Sequence, residues 1–475
     1  MNILQAMADE ALFAPAFRGG SWEPWRAFLG ALFGLPLSDD QLAFYRRHTG
    51  RSEPPTAAFR EASLVCGRRG GKSRVMAAIA VFLSAFKTYS AHLAPGEVAT
   101  VAVIAADRRQ ARTVFRYIVG LLRSVPMLAD LIEEEASDRL ALTNGVEIEV
   151  STASFRSTRG FTYAAVICDE IAFWRAEDSA NPDAEIVKAI RPGLSTIPGS
   201  VLLMASSPYA QRGVLYDTFR RHYGKDDARV LVWKASTAEM NPALDPAIVA
   251  EAYEDDPAAA SAEYGADFRT DIVGYVTREV VDGCTVPGRF ELPPISAHRY
   301  VAFVDPSGGS SDSMTLALAH AERDGAGRDA PVRAVLDAVR EARPPFSPEA
   351  VVNDFCSLLR AYGVGRVRGD RYGGEWPREQ FRKQGIAYDL SEKPKSDLYR
   401  DVLPLLNSGR AELLDLPKLG AQLAGLERRT ARGGRDSIDH PPGGHDDVAN
   451  AAAGALLATA GAGASVLERA RVLLR

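Results

Sequence analysis

At 475 residues the chain is too long for one hydrophobic core, and its 46% hydrophobic and 25% charged content is that of an ordinary soluble globular protein, so two domains are expected. A formal net charge of -5 excludes a uniformly basic nucleic-acid coat while leaving room for a local basic channel. Cys66, Cys168, Cys284 and Cys356 form no C-x-x-C pair, and no run approaches eighteen apolar residues; a disulfide framework, a zinc site and a membrane span are not expected, and a reducing cytosol fits.

In chain order, residues 20–47 are rich in aromatics and helix formers, a helical lead-in occupying 1–60 that reads as packing or as an adenine-side wall. From 62 to 235, apolar runs (ASLVC, VATVAVIA, VEIEV, AAVIC, VLLMAS, RVLVWKA) alternate with helical stretches. That order predicts an α/β fold of the RecA/ASCE-like P-loop NTPase type, a mostly parallel sheet with helices on both faces. A helical segment at about 236–268 reads as a lid that closes a first domain over 1–268, and the proline-bearing stretch 269–298 as a linker. Over 299–475, three strand-like segments (YVAFVD, MTLALAH, PVRAVLDAV) precede a helix, RVRGD, a helix and IAYDL. Three antiparallel strands followed by alternating helices and strands is the order of a ribonuclease H-like domain.

The first domain carries a nucleotide kit. ASLVC runs into GRRGGKS, in which Gly67, Gly70 and Gly71 permit a tight turn around phosphates, Lys72 supplies charge and Ser73 a magnesium-binding hydroxyl, although Cys66 stands where the usual motif has glycine. A hundred residues on, AAVIC ends in Asp169, placed to hold magnesium, and Glu170, placed to polarise the attacking water. VLLMAS ends in Ser206-Ser207-Pro208, hydroxyls positioned to report the γ-phosphate. Arg159 on a polar loop, or Arg68 and Arg69 within the P-loop, would stabilise charge.

The second domain carries separated acids. Asp305 ends its first strand, Asp370 its fourth, and His445-Asp446-Asp447 opens an alanine-rich helix whose small residues would let it lie close to the sheet; the first and fourth strands are neighbours in this fold, so two divalent ions would have carboxylates on both sides. Asp447 and Asn450 share a helix face, Asp312 reads as a turn acid or accessory ligand, and His445 as a ligand or a helix-capping neighbour. Arg366, Arg368, Arg371, Arg378, Arg382, Lys383, Lys393, Lys395 and the ERRTARGGRD loop would form a DNA backbone path, and Tyr372-Gly373-Gly374 a turn opening the site.

With W-x-x-W before GRRGGKS, AADRRQAR, the Arg-Gly pair before VICDE, ASSP and the acids of the carboxyl half, the chain resembles the large terminase subunit of tailed bacteriophages over nearly its whole length. The resemblance implies ATP-driven translocation of double-stranded DNA into a procapsid and endonucleolytic cleavage of the concatemer, with ATP, Mg²⁺ and, in the nuclease, Mg²⁺ or Mn²⁺ as cofactors. It implies a pentameric ring on the portal protein, a small terminase subunit as partner, and the cytoplasm of a bacterial host. By position, Lys72, Ser73, Asp169 and Glu170 take the ATPase roles, Arg159 that of the arginine donated to the next subunit, Ser206 and Ser207 that of coupling, and Asp305, Asp370 and Asp447 or Asp446 those of the nuclease. Two competing readings are a helicase or repair translocase with a fused nuclease, and an ATP-binding assembly protein whose second half is a docking platform.

Overall fold

The computed structural model describes residues 1–154, 158–176, 179, 181–310, 312–323, 332–370, 375–430 and 436–459. The chain divides into two compact units, Met1–Ala176 with Asn181–Thr270, and Asp271 onward. Among the described residues no helix is long and apolar enough to cross a membrane.

The first unit is organised by strands β1 (Glu61–Cys66), β2 (Ala99–Ala105), β3 (Ile132–Glu135), β4 (Arg139–Leu142), β5 (Val146–Thr152), β6 (Thr162–Asp169), β7 (Val201–Ser206) and β8 (Val230–Ala235), in the spatial order β3-β4-β5-β2-β6-β7-β1-β8. The six strands from β5 to β8 in that order are parallel, whereas β3 and β4 join antiparallel at one edge. A parallel sheet is covered on both faces, so its strands are apolar throughout. In β2, Val101 and Val103 enter one core and Ala102 and Ile104 the other. The helix Lys72–Ala85 fills the first core with Val75, Ile79 and Phe82, and the helix Pro182–Ile190 the second with Ile186, Val187 and Ile190. In AADRRQAR, Asp107 caps the helix Arg108–Arg123 by accepting from Arg109 N at 2.7 Å and Gln110 N at 2.9 Å, a contribution of about 1 kcal/mol.

The second unit holds β9 (Ile272–Gly274), β10 (Tyr300–Asp305), β11 (Met314–Arg323), β12 (Val332–Ala342), β13 (Arg366–Gly369), β14 (Ala387–Leu390), β15 (Ala411–Glu412), β16 (Glu427–Thr430) and β17 (Asp436–Asp439). Its main sheet runs β14-β13-β10-β11-β12-β15: β10, β11 and β12 are antiparallel, and β13 adds parallel to β10. This is the ribonuclease H-like order. The helix over 447–459 lies against β10 so closely that a Cβ on Gly454 would collide with the Phe303 ring. The stretch 269–298, expected as a linker, instead contributes β9, which pairs with β16, and the helix Arg278–Cys284. Tyr275, Val281 and Cys284 are buried in this unit's core, so apolar side chains outweigh the proline and glycine signals there.

Candidate active sites

The P-loop occupies the turn between β1 and the helix Lys72–Ala85. Gly71 has φ +100°, and a Cβ there would come within 3.0 Å of Trp25 Nε1, which explains a glycine at this point. Arg69 takes the left-handed conformation at φ +64° without being glycine, and neighbours hold the loop in place. Thr237 Oγ1 donates to Arg68 O at 2.7 Å, Asn241 Nδ2 to Arg69 O at 2.9 Å and Trp25 Nε1 to Gly70 O at 2.9 Å. Sequence reasoning misses Thr237 and Asn241; the signal for them is the capping box of Ser236 and Glu239 that starts a helix directly after β8.

Lys72 is 5% exposed and donates to Cys66 O at 2.9 Å and Gly67 O at 3.2 Å. Its Nζ is also 3.4 Å from Glu170 Oε1. Burial, the largest influence, would lower the lysine's pKa, but the Glu170 charge together with Cys66 and Asp169 holds the ammonium above its ordinary value. The other Glu170 oxygen lies 2.9 Å from Ser206 Oγ and 3.1 Å from Ser207 N. Glu170 itself sits at φ +49°, a strained backbone position at the point of the expected chemistry. Because β7 lies between β1 and β6, Ser206 stands between the P-loop strand and the strand ending in Asp169.

Asp169 is 3% exposed, and its Oδ1 has no hydrogen-bond partner. Burial first, then the adjacent Glu170 charge, push its carboxyl up to about 7 against the pull of Lys72. An orphaned buried carboxylate oxygen suits a cation, so Asp169 and the half-buried Ser73 fit a nucleotide-bound Mg²⁺. The cavity over the loop measures about 610 Å³ and is lined by Trp22, Trp25, Arg69, Lys72, Ser73 and Glu170, among others, a size suited to a nucleotide. The lead-in tryptophans therefore both pack and wall the cavity. Arg68 pairs with Glu263 at 3.2 Å, while Arg69 lines the cavity with no ion pair among the described residues. Arg159 is exposed and lines a different cavity, of about 600 Å³, with Thr158, Gly160 and Glu185.

In the second unit, β10 and β13 run parallel with Val304 opposite Gly369, and Asp370 N donates to Val304 O at 3.2 Å, which sets Asp305 and Asp370 at adjacent strand ends. Gly369 leaves space for the ring of Tyr388, whose hydroxyl donates to Asp370 O at 3.2 Å. Asp305 is partly exposed and otherwise densely surrounded. Burial, then Asp447, Asp446 and Asp370, hold its carboxyl well above the carboxylate range; the adjoining Asn450 amide opposes them. Neither buried polar atom of that amide completes a hydrogen bond. Like charges gathered beside an unsatisfied amide fit a site for cations.

The two carboxylates at the helix start differ. Asp446 is 4% exposed and already engaged, with Lys395 Nζ at 3.0 Å and the Tyr399 hydroxyl donating at 2.9 Å. Asp447 is half-buried, with its carboxyl raised by burial and then by Asp446. His445 Nδ1 lies 3.6 Å from Asp312 Oδ1, and both side chains are exposed. Asp305, Asp370 and Asp447 are not among the groups whose ligand atoms all lie within 4.8 Å of one another; Asp439, His440 and Asp446 are, but Lys395 Nζ sits 2.7 Å from Asp439 and fills that place with an ammonium. Of the basic path, Arg366 pairs with Asp389, Arg378 with Glu375, Lys383 with Glu379, and Lys393 with Asp401, while Arg368 and Arg382 are exposed. Arg371, the Tyr372-Gly373-Gly374 turn and residues 431–435 of the ERRTARGGRD loop lie outside the described residues.

No family model and no curated protein matches the chain. Among solved structures it is similar to the large terminase of bacteriophage HK97, at 17% identity over 84% of this chain and 91% of that one, with a TM-score of 0.37. It is also similar to the large terminase of a thermophilic bacteriophage in complex with ADP, at 14% identity, 88% and 97% coverage and a TM-score of 0.36. A third is the large terminase nuclease of the thermophilic phage G20c with bound magnesium, at 16% identity, 38% and 96% coverage and a TM-score of 0.32. At these scores the likeness carries no activity over to this chain. The solved structures that the chain resembles are phage large terminases.

Proposed function

We propose that this chain is the ATP-hydrolysing motor of a DNA-packaging machine and that its second unit is a metal-dependent endonuclease that cuts the packaged double-stranded DNA. The observation that carries the reading is the network around Glu170, with Lys72 on one oxygen and Ser206 and Ser207 on the other. In it Glu170 orients and deprotonates the attacking water, and Lys72, released from its own loop carbonyls, binds the phosphates. The serines on β7 sense whether Glu170 is engaged and pass the change into the sheet. Ser73 and Asp169 would hold the nucleotide's Mg²⁺.

In the nuclease, Asp305, Asp370 and Asp447 would hold Mg²⁺ or Mn²⁺, with Asp446 kept in place by Lys395 and Tyr399. Divalent ions there supply charge for the phosphate oxygens and an acidified water. The reading includes a pentameric ring on the portal of a procapsid, with a small terminase subunit, in the host cytoplasm. Arg159, exposed and away from the cavity lining of its own P-loop, serves the neighbouring subunit's phosphates. Mixing Arg159→Ala with Glu170→Gln chains tests this: assembled mixtures regain ATP hydrolysis if the arginine acts across an interface, since an arginine finger is worth about 10³–10⁵ in turnover. No regain in mixed rings moves the role to Arg68 or Arg69.

A further inference from the structure

At the opposite end of β10 from Asp305, about 16 Å along the strand at about 3.3 Å per residue, a second cluster of ligand-type side chains gathers. His320 on β11 lies across from Tyr300 and is 4% exposed. Its Nδ1 is 2.8 and 2.9 Å from the two carboxylate oxygens of Asp337, a residue 1% exposed. Asp337 is the extra residue of a β-bulge: Leu318 pairs with Ala338 and Ala319 with Leu336, leaving Asp337 unopposed. Bulges re-aim side chains, and this one turns a carboxylate onto a buried imidazole. The same residue's carbonyl accepts from Leu292 N at 2.8 Å, which anchors the segment leading to His298.

With Nδ1–H donated to Asp337, the neutral ring presents a lone pair at Nε2, and that atom faces Glu322 Oε1 at 3.2 Å. Two acceptors at that distance need a proton or a cation between them. A proton would satisfy His320 and Glu322 alone, yet a second imidazole is present: the His298 ring centre is 4.1 Å from that of His320, and one ligand atom from each of His298, His320 and Glu322 lies within 4.8 Å of the others. Two imidazoles and a carboxylate, one imidazole fixed by a carboxylate behind it, form a zinc-type donor set with a coordination position left over. Glu322 is exposed, so that position opens to solvent.

We infer that His298, His320 and Glu322 bind a divalent transition-metal ion, zinc by its ligand chemistry, with Asp337 orienting His320. The ion would join the segment before β10 to β11, at a site separate from the acids around Asp305. The test uses the full chain purified without a histidine tag, stripped with chelator and titrated with Zn²⁺ against a fluorescent zinc indicator, then with Co²⁺ for its visible absorption. One tight zinc per chain is expected, with intense four-coordinate cobalt bands. His298→Ala and Glu322→Gln, at more exposed positions, should remove the tight step. Asp337→Asn should weaken it about 10- to 100-fold. The step should persist in a chain carrying both Asp305→Ala and Asp447→Ala. Absence of a tight zinc, or a tight zinc unchanged by His298→Ala and Glu322→Gln, overturns the inference.

Discussion

The two acidic sites of this chain are solved electrostatically in opposite ways. At the P-loop, Glu170 has a lysine on one oxygen and two serines on the other, so its charge is compensated by the chain's own residues. Around Asp305, burial and then three further carboxylates raise the pKa, with the Asn450 amide opposing them. The first site is pre-organised by its own residues; the second is left with an excess of negative charge that a cation would relieve. Low-dielectric surroundings make both arrangements count, since charges fixed in a crowded pocket interact far more strongly than in water.

The contrast is broken most sharply at Glu170. Glu170→Gln keeps the shape and the serine contacts but loses the base, so ATP hydrolysis should fall about 10²–10⁴-fold while nucleotide stays bound. Phosphate release and nucleotide binding, measured together, check this; turnover at the parental rate would remove Glu170 from the chemistry.

At Asp305 the expected effect has two signs. A carboxyl whose folded pKa is raised costs stability above its ordinary pKa, so Asp305→Asn should raise the melting temperature of the ion-free chain while abolishing cleavage. Melting in chelator and in Mg²⁺ separates the terms: the ion should raise the parent's melting temperature more than the variant's. Equal shifts would mean that Asp305 does not contribute to holding the ion.

How much of this is legible in the sequence follows from local signals. The parallel strands β1, β2, β6 and β7 are continuous apolar runs, and their ends carry the P-loop, Asp169, Glu170 and Ser206, so fold and site announce themselves together. Strand β3 reads IEEE, an acidic edge with no apolar period, and gives no such signal. Nor does sequence reveal that Lys395 and Tyr399, some fifty residues upstream, occupy Asp446 and leave Asp447 the less engaged acid. His298, His320 and Asp337 meet only through strand pairing and a bulge, with no fixed spacing to betray them.

A smaller effect is expected where packing alone holds the nuclease acids. Gly454→Leu would drive a side chain into the Phe303 ring and push the 447–459 helix off β10, at a cost of about 1–3 kcal/mol. DNA cleavage should fall with no loss of phosphate release; cleavage retained at the parental level would show that the helix position does not set the acids.

The smallest effect concerns His48 in the first unit. It is 2% exposed, its Nδ1 lies 2.9 Å from Lys234 O, and burial lowers its pKa below the ordinary value of about 6.5. Below that value the unfolded chain takes up a proton that the folded one resists, so stability is full at neutral pH and declines as pH falls from about 6.5 through the folded pKa. His48→Gln should flatten that decline by less than about 1.4 kcal/mol per pH unit. Denaturant melts of the two chains between pH 7.5 and 5, a range chosen on the order of one unit either side of that value, decide it; parallel curves would assign the decline to other groups.

The proposed function places two sites in one chain, each dependent on its own residues. Phosphate release and Mg²⁺-dependent plasmid nicking, measured on the full chain beside Lys72→Ala and Asp305→Ala, test it directly. Lys72→Ala should lose phosphate release and still nick DNA, and Asp305→Ala should release phosphate and fail to nick. Loss of both activities in a folded single variant, or intact nicking in Asp305→Ala, would contradict the account.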